Sequence, residues 1–531
     1  MADKGLKGGS LGLVAVIVIG VASTAPGYSL AAGIGGIAAQ AGAKAPFIML
    51  FAFVPMGCIA AAFYYLNKAD PDCGTNFTWG VRAFGPKAGW LSGWGCIVAD
   101  LVIMPNLAGI SGQYLVLLIH EQWVNNIYLT TAIGMVFIVL MCWICFTGIE
   151  LSARSQVILL GTELIVLAVF AVMAITKAFH GVTRTVMVDS TDANNVTTQI
   201  PKVYNSIKPS FSWLSPSGLT TSQITGGLVL AVFVYWGWDT CVSVNEEAKD
   251  STRTPGIAAV LSTFILLGIY LLTSIGSVSL LGPEYLVDNQ AEAISAVGHI
   301  ALPNIIYKLL LIAVLTSAAA SCQTTILPAT RTMLSMGSHG AAPKKLAQIN
   351  RRHLSPDFST VIFGVISVLW YFFLVVVQHN TSFSIYDASI LAVGLAISVY
   401  YGVSGLSCVW FFRRYLLKST KNFFLIGVLP LFGGAVLIYA FVKTVVDSLR
   451  ADVSAPGASI LGIDTTLFIG TALLVLGIPL MLWCKAKYPA FFGFRADPPE
   501  TVPDPYSENS LAEPLGTYTK DNRGKELTNV G

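Results

Sequence analysis

Long apolar segments alternate with short polar ones along most of the chain. A helix that crosses a bilayer needs about 20 mostly apolar residues, and twelve segments meet this requirement. The predicted spans are residues 11–40, 46–67, 88–118, 127–149, 156–178, 222–245, 257–282, 304–335, 358–378, 385–412, 423–447 and 463–485. The pattern therefore predicts an all-α integral membrane protein with twelve transmembrane helices.

Composition agrees with a membrane environment. Of the 531 residues, 54% are hydrophobic and only 11% are charged, whereas soluble domains carry about 25% charged residues. A soluble globule with a mean hydropathy of +0.70 could not cover its apolar surface, so the lipid bilayer is the expected solvent. The net charge of +3 is too small to indicate a nucleic-acid partner. The first apolar segment is too long for a signal peptide and has no clear cleavage site, so we expect it to be retained.

The distribution of lysine and arginine predicts the orientation. With the N-terminus in the cytoplasm, 23 of the 31 Lys and Arg residues fall on the cytoplasmic side, as the positive-inside rule requires. We therefore expect a multi-pass protein of the plasma membrane, the inner membrane in a bacterium, with both termini in the cytoplasm.

The polar segments outside the spans divide into three. Residues 1–10 form the expected cytoplasmic N-terminus, and residues 179–221 form a polar extracellular loop. The tail, residues 496–531, holds seven acidic and three basic residues with several prolines, a composition that predicts disorder.

The cysteines indicate packing rather than chemistry. Nine are scattered along the chain, mostly in apolar segments, where cysteine acts as a small hydrophobic residue. Cys142 and Cys145 match C-x-x-C inside the fourth span, but no second ligand pair accompanies them. We therefore interpret them as packing residues and not as a redox or zinc site.

Two spans are interrupted near their centres. The first contains Pro26, which cannot donate a backbone hydrogen bond, followed by Gly27, which weakens a helix. This stretch alone leaves a simple kink open. The sixth span carries Gly237 and Asp239 among aromatic residues. Interrupted spans at matching positions of two halves are typical of inverted-repeat transporters, which bind substrate between them.

Four stretches resemble the amino acid–polyamine–organocation (APC) superfamily of permeases. They are Phe77–Trp94, Gly148–Gln156, Tyr235–Ala258 and Pro328–Pro356, in the family's order and spacing. The resemblance implies an amino acid permease with a leucine-transporter-type fold that works by alternating access. The first span departs from the family's glycine-rich pattern, so the backbone role of that stretch transfers while its side-chain contacts do not.

The implied fold has two inverted five-helix repeats and two peripheral helices. On this sequence the first repeat covers residues 11–178, the second covers 222–412, and the peripheral helices cover 423–487.

The candidate substrate site combines the two interruptions. Freed backbone N–H groups of the first would meet a substrate carboxylate, although the hydroxyls there could instead stabilise a kink. In the second, the resemblance implies an aromatic that closes over the substrate, and Asp239 could pair with a substrate amine or make a structural hydrogen bond. The candidates are Ser23, Thr24, Ala25, Pro26, Gly27, Phe233, Tyr235, Trp236, Gly237 and Asp239.

Four further residues are candidates for ion or proton coupling. Glu163 lies in the fifth span, where some proton-coupled relatives have a lysine facing helices 1 and 8. A buried carboxyl there can carry a proton; the alternatives are that Glu163 helps to bind a cation, or lies near the cytoplasmic surface and does neither. Asp100 in the third span is a second protonation or amine-binding candidate. Ser317 and Ser321 in the eighth span could bind sodium or could simply allow close helix packing.

One charged segment follows the sixth span. Glu246, Glu247, Lys249 and Arg253 form either an inner-gate cluster or a solvated face.

Together these features predict a secondary active transporter of an amino acid or related amine. Proton-coupled uptake is the preferred mode, exchange is the alternative, and a non-transporting sensor would look the same in sequence. An enzyme is not expected, because the six histidines lie apart at helix ends or in loops. No cofactor is expected, since a proton or sodium gradient would drive transport. The expected partners are the small-molecule substrate and lipid, with the protein a monomer or homodimer.

Overall fold

A computed structural model describes residues 4–124, 126–191, 197–289, 293–380, 385–450, 459–460, 463–507, 511–515, 519–520 and 526–527. The long apolar helices are α1 (Leu13–Thr24), α2 (Pro26–Ala41), α3 (Ala45–Ala69), α5 (Pro86–Ile119), α6 (Ile127–Thr147), α7 (Ile149–His180), α8 (Thr221–Tyr235), α10 (Thr254–Asp288), α12 (Asn304–Ser338), α13 (Asp357–Asn380), α14 (Ile385–Phe411), α16 (Leu429–Leu449) and α17 (Thr465–Lys487). The short helices are α4 (Asn76–Phe84), α9 (Thr240–Ser243), α11 (Ala293–Ala301), α15 (Thr420–Asn422) and α18 (Pro489–Phe492).

The predicted spans are present as helices. In the described part of the chain, 10 helical segments are long and apolar enough to cross a membrane. One of them, Leu13–Ala69, contains both of the first two predicted spans, and the shorter apolar helix α8 forms the first half of the sixth. The eleventh span starts with a π-helical turn, Phe423–Val428, that runs into α16. The twelve-helix prediction is therefore confirmed.

The two predicted interruptions are also present. Ala25 separates α1 from α2, and Trp236–Asp239 separates α8 from the short helix α9. These breaks open the first and sixth spans, as a fold of two five-helix repeats requires. Around them α5 packs along α12, α10 packs against α3 and α7, and α2 packs against α8.

The loop between the repeats is partly ordered. It forms an antiparallel hairpin of β1 (Thr183–Thr191) and β2 (Thr197–Asn205), in which Thr183 pairs with Asn205. Two-residue pairs, β3 (Ser459–Ile460) with β4 (Ile463–Asp464) and β5 (Thr519–Lys520) with β6 (Glu526–Leu527), complete the strands of the described residues.

The tail differs from the prediction of disorder. Its described residues 496–507 and 511–515 lie against the bundle: the Asp497 carboxylate pairs with Arg82, and the Ala512 N–H donates to the Ala69 carbonyl. Tyr506 packs edge-on against Tyr65. The low content of apolar residues concealed these contacts, because single apolar side chains such as the buried Val502 anchor the segment together with an ion pair and backbone hydrogen bonds. The rest of the tail, apart from β5 and β6, lies outside the described residues.

The cysteines have the packing role that the sequence predicts. All nine are free thiols. Cys145 donates a hydrogen bond to the carbonyl of Gln323 in α12, so it joins two helices.

Candidate functional site

The first helix breaks at one residue. Ala25 adopts a left-handed conformation (φ 49°, ψ 68°), which ends α1 and lets Pro26 begin α2. Proline suits the first position of a helix because its missing N–H would have no intrahelical acceptor there. The Thr24 hydroxyl donates to the Gly20 carbonyl one turn earlier, at 3.1 Å. This contact is the kink-stabilising alternative for Thr24.

The second break lies directly against the first. Gly237 has φ 114°, a conformation that side-chain-bearing residues rarely adopt. A Cβ atom at this position would lie 2.7 Å from the backbone carbonyl atoms of Ser23. The Ser23 hydroxyl is also 2.8 Å from the hydroxyl of Thr240, at the start of α9. Glycine therefore allows the two interrupted backbones to touch.

Glu163 connects the first break to two other helices. From α7, its Oε1 atom accepts hydrogen bonds from the Gly27 N–H and from the Ser317 hydroxyl of α12, each at 2.7 Å. The Tyr28 N–H donates to Ser317 Oγ at 3.4 Å, and the Ser321 hydroxyl donates to the Ser23 carbonyl at 2.8 Å. Glu163 faces the seam between the first and eighth spans, as the sequence predicts.

These contacts change one expectation about the first break. The N–H groups of Gly27 and Tyr28, expected to be available to a substrate carboxylate, are occupied by Glu163 and Ser317 in this conformation. The N-terminus of α2 is thus already occupied by an acidic side chain, the type of group that a helix N-terminus favours. The sequence could not reveal this because Glu163 lies 136 positions from Gly27.

Asp239 lies on the other side of the two breaks and contacts α14. Its carboxylate accepts a hydrogen bond from the Tyr400 hydroxyl at 3.2 Å, and the indole N–H of Trp236 donates to the same hydroxyl. The structural hydrogen bond considered for Asp239 is thus present, and Trp236 takes part in it. Trp238 is fully buried between Phe63 and Tyr401.

Asp100 in α5 is buried and incompletely paired. Its Oδ2 atom accepts a long contact from Cys96 at 3.8 Å, and its Oδ1 atom has no hydrogen-bond partner. Asp239, like Asp100, is buried in the interior of the bundle. Among the ion pairs of the described residues, none includes Asp100, Asp239 or Glu163. Three carboxyl groups thus lie in the bundle interior, with exposures of 0 to 4%.

The remaining candidates have simpler surroundings. Phe233 packs edge-on against Tyr28 with ring centroids 6.2 Å apart, on the side of the breaks away from the chain termini. Tyr235 packs against Tyr270, and its hydroxyl is buried with no partner. Thr316, the neighbour of Ser317, donates its hydroxyl to the Ile312 carbonyl of its own helix.

The end of the bundle against which Lys4 and the described tail residue Asp497 pack is closed by charged groups. We call it the terminal face and define it by Lys4, Asp72, Glu246, Glu247 and Arg331. The Lys4 ammonium lies 2.7 Å from Asp72 and 2.5 Å from Glu246, and only 3% of its side chain is exposed. Glu247 and Arg331 form a second buried pair at 3.0 Å. Of the charged cluster after the sixth span, Glu246 and Glu247 make buried ion pairs, whereas Lys249 is exposed, as in the solvated-face alternative.

At the terminal face, ion pairing outweighs burial in setting the charge of Asp72 and Lys4. Burial disfavours both charged forms, but the Lys4 ammonium and His339 hold the pKa of Asp72 well below its usual range. Burial likewise opposes the charge on Lys4, yet Asp72 and its neighbours hold the pKa of Lys4 well above its usual range. Both groups are therefore charged at neutral pH and fix the N-terminal segment to the bundle.

Sequence reasoning missed several residues of the site. Tyr28 donates to Asn106 of α5 at 2.7 Å, and Tyr400 serves as the hub for Asp239. Adjacent tyrosines in an apolar span, as at Tyr400 and Tyr401, are a usable signal because a buried hydroxyl needs a partner. Lys4 gave no such signal, since a short basic N-terminus is usually solvated.

A bundle of twelve helices in which two broken helices meet beside buried carboxyl groups defines a membrane transporter of the leucine-transporter type. The sequence profile described as "Amino acid permease" matches residues 11–463. The chain therefore belongs to the amino acid permease family.

Curated relatives are similar at low identity. The chain is 24% identical to the arginine/ornithine antiporter of Latilactobacillus sakei over 447 residues, which cover 79% of this chain and 83% of that protein. It is 25% identical to cationic amino acid transporter 3, mitochondrial, of Arabidopsis thaliana, over 68% of this chain and 57% of that protein.

Solved structures share the fold. The manganese transporter of Eremococcus coleocola, in complex with an aromatic bis-isothiourea substituted compound, has a TM-score of 0.55 and 12% identity, covering 90% of this chain and 95% of that one. MhsT in complex with L-phenylalanine has a TM-score of 0.53 and 14% identity, covering 80% of this chain and 98% of that one. At these identities the likeness shows the fold alone.

Proposed function

We propose that the protein is a proton-coupled secondary transporter that takes up an amino acid or related amine by alternating access. The observation that carries the proposal is the position of Glu163, whose carboxylate accepts the Gly27 N–H at the break of the first helix. A single titratable side chain thus connects the substrate-binding candidates of α2 with α7 and α12.

Coupling would arise because Glu163 and the substrate carboxylate compete for the same position, the N-terminus of α2. The N-terminus of α2 favours one negative charge, which Glu163 supplies when its carboxyl group is ionised. Protonation removes that charge and weakens the hydrogen bonds that Glu163 accepts from Gly27 and Ser317. A substrate carboxylate can then take the Gly27 and Tyr28 N–H groups. Proton binding and substrate binding therefore favour each other, as symport requires.

The two acids on the far side of the breaks suit a cationic group of the substrate. Asp100 has an unpartnered buried oxygen, and Asp239 is held by the hydroxyl of Tyr400. A substrate ammonium placed between them would pair with buried charge that now lacks a basic partner among the described residues. Phe233 and Tyr28 lie beside the breaks and can cover the ligand.

The proposal also includes an orientation in the membrane and an ion gradient that drives transport. The terminal face carries the basic loops, so we assign it to the cytoplasm, with both termini inside and the protein in the plasma membrane. A proton gradient drives uptake without a cofactor. The sodium alternative would use the hydroxyls of Ser317 and Ser321, which in this conformation bond to Glu163 and Ser23.

Exchange is the second candidate. A relative of 24% identity is named an arginine/ornithine antiporter. In an exchanger, the closed terminal face would reopen only when a second substrate is bound.

Uptake into proteoliposomes tests the proposal. Purified protein is supplied with a radiolabelled amino acid and amine panel under an imposed pH gradient, an imposed sodium gradient, or internal unlabelled substrate. Stimulation by an inwardly directed proton gradient supports symport. Uptake that requires internal substrate and ignores the gradient would establish exchange, and dependence on sodium would replace the proton assignment. Substrate binding without flux under any condition would identify a sensor.

A further inference from the structure

A large apolar groove is lined by none of the residues at the two helix breaks. It has a volume of about 620 Å³ and is formed by α5, α12, α13 and α17. Its walls include the aromatic rings of Trp90, Trp94, Phe373 and Trp483. Several lining side chains are exposed, among them Leu369 at 61%, so the groove opens on the outer surface of the bundle. That surface faces lipid in a membrane-spanning protein.

The groove has the length of one leaflet. On α5 it runs from Trp90 to Leu101, and on α17 it runs from Leu473 to Cys484. A helix rises about 1.5 Å per residue, so each wall is roughly 16 Å long, which is about half the hydrocarbon thickness of a bilayer. One end lies at Pro343 and Leu346 on the terminal face, and the other end lies near the middle of the helices.

Two tryptophans line the end of the groove at the terminal face, which we call the mouth, and their polar atoms are already hydrogen-bonded. The indole N–H of Trp90 donates to the Ala341 carbonyl, and that of Trp94 donates to the Leu473 carbonyl. These two tryptophans therefore offer their ring surfaces to the groove while their polar atoms are satisfied by protein. An occupant of this section needs to be apolar and flexible.

Cations surround the mouth at the terminal face. The Lys487 ammonium lies 5.0 Å from the ring centroid of Trp483, a wall residue. Lys344 and Lys345 are exposed and lie in sequence between the wall residues Pro343 and Leu346. Lys87 is exposed one turn before Trp90. Such a cluster beside the acyl region attracts an anionic head group.

We propose that this groove binds an anionic glycerophospholipid of the terminal-face leaflet. One acyl chain lies along α5, α13 and α17, and the phosphate group is held at the mouth by Lys344, Lys345 and Lys487. Apolar walls of one leaflet's length and a cationic mouth together match this ligand and do not match a free phosphate. The site is independent of the transported substrate and of the coupling ion.

Native mass spectrometry tests the site on the full chain. Protein is purified with equal amounts of phosphatidylglycerol and phosphatidylcholine, and the retained lipid is counted for each. We expect one phosphatidylglycerol to be retained at about tenfold or greater preference, since each cation near the membrane surface contributes to anionic lipid binding. The variant K344A/K345A/K487A is expected to lose the preference.

The matched control removes three exposed lysines elsewhere on the terminal face. In K249A/K418A/K421A the net charge changes equally, and two of the removed side chains, Lys418 and Lys421, also lie over aromatic rings. This variant should retain phosphatidylglycerol like the wild type. A groove-filling change, Leu476→Trp, should reduce retention of the lipid without altering the mouth.

Three results would overturn the proposal. Equal retention of the two lipids would show that the groove takes bulk lipid without selection. Loss of preference in both triple variants would assign the effect to net charge. Purification as a dimer that covers Trp483 and excludes lipid would assign the groove to a second copy of the chain.

Discussion

The Oε1 atom of Glu163 accepts the backbone N–H of Gly27 at 2.7 Å, and the same atom accepts the hydroxyl of Ser317. An acidic side chain of α7 therefore occupies the N-terminus of α2 at the point where the first helix breaks. The Gly27 N–H is one of the groups at which we expect the substrate carboxylate to bind, so Glu163 and the substrate would compete for it.

Glu163→Gln should abolish the pH dependence of uptake. The amide oxygen can still accept the Gly27 N–H, but the side chain no longer binds and releases a proton. We expect gradient-driven uptake to fall tenfold or more, which corresponds to about 1.4 kcal/mol, while exchange of bound substrate persists. Initial uptake rates over a range of external pH provide the measurement. Glu284→Gln, which removes an exposed carboxylate, is the control, and retained pH dependence in Glu163→Gln would exclude Glu163 as the coupling group.

Gly237→Ala should disrupt the contact between the two breaks. The added Cβ would lie 2.7 Å from the backbone of Ser23, at a residue whose φ is 114°. Neither the backbone nor Ser23 can move away cheaply, so we expect a loss of stability of about 2–4 kcal/mol and of transport. The matched control is Gly268→Ala in α10, where no atom lies within 4 Å; it should be neutral or slightly stabilising. Thermal unfolding in detergent and uptake assays separate the two, and equal behaviour would contradict the contact.

The sequence predicted the spans and the two breaks because each has a local cause. Pro26 and Gly237 interrupt a helix through their own backbone properties, whichever residues pack around them. The partners of the breaks have no local cause. Glu163 could be recognised as a buried acid, but its bond to Gly27 depends on the packing of α7 against α1 and α2. Tyr400 likewise joins the site only because α14 lies beside Asp239.

The buried ion pairs of the terminal face could not be predicted from the sequence. The composition of this face is polar and charged, so residues 1–10 and the tail read as solvated ends. In the structure, the buried Lys4 pairs with Asp72, 68 positions away, and the buried Arg82 pairs with Asp497 of the tail as well as with the nearby Asp70. Charge complementarity over such separations leaves no periodic pattern to detect.

Lys4→Ala should loosen the closed terminal face. It leaves Asp72 and Glu246 without the ammonium that compensates their burial, a change that typically costs about 3–5 kcal/mol. Cys73 reports the change, because its thiol is buried 3.6 Å from the Lys4 ammonium. Maleimide labelling of Cys73, followed by peptide mass spectrometry, should become at least several-fold faster. Burial and the Glu246 carboxylate raise the pKa of the Cys73 thiol, and the Lys4 charge opposes that rise. Loss of the Lys4 charge alone would therefore slow labelling, so a faster rate reports exposure. Lys249→Ala is the control, and an unchanged rate would contradict the gate.

The same ion pair predicts a pH range of stability. The pKa of Asp72 is held below its value in the unfolded chain, so its contribution is present above about pH 4 and is lost as the pH falls through the folded-state pKa. The pKa of Lys4 is raised, so its contribution is present below about pH 10 and is lost as the pH rises further. When His339, the other group that lowers the pKa of Asp72, is replaced by glutamine in both proteins, the difference in melting temperature between Lys4 and Lys4→Gln should therefore be constant from about pH 5 to about pH 9. A difference that changes within this range would mean that another group controls the pair.

Two substitutions at the tail contact should differ in cost. The Arg82 guanidinium binds both oxygens of Asp70, at 2.6 and 3.0 Å, and one oxygen of Asp497 at 2.8 Å. Arg82→Gln leaves two buried carboxylates without a cation, so we expect a loss of about 3–5 kcal/mol. Asp497→Asn leaves Arg82 paired with Asp70, and its amide oxygen can still accept the hydrogen bond. Burial raises the pKa of Asp497 despite the neighbouring Arg82, so removal of this charge should cost less than about 1 kcal/mol.

Thermal unfolding of both variants provides the measurement, with the exposed Glu500→Gln as the control. Equal losses would show that Asp497, and not Asp70, is the main partner of Arg82.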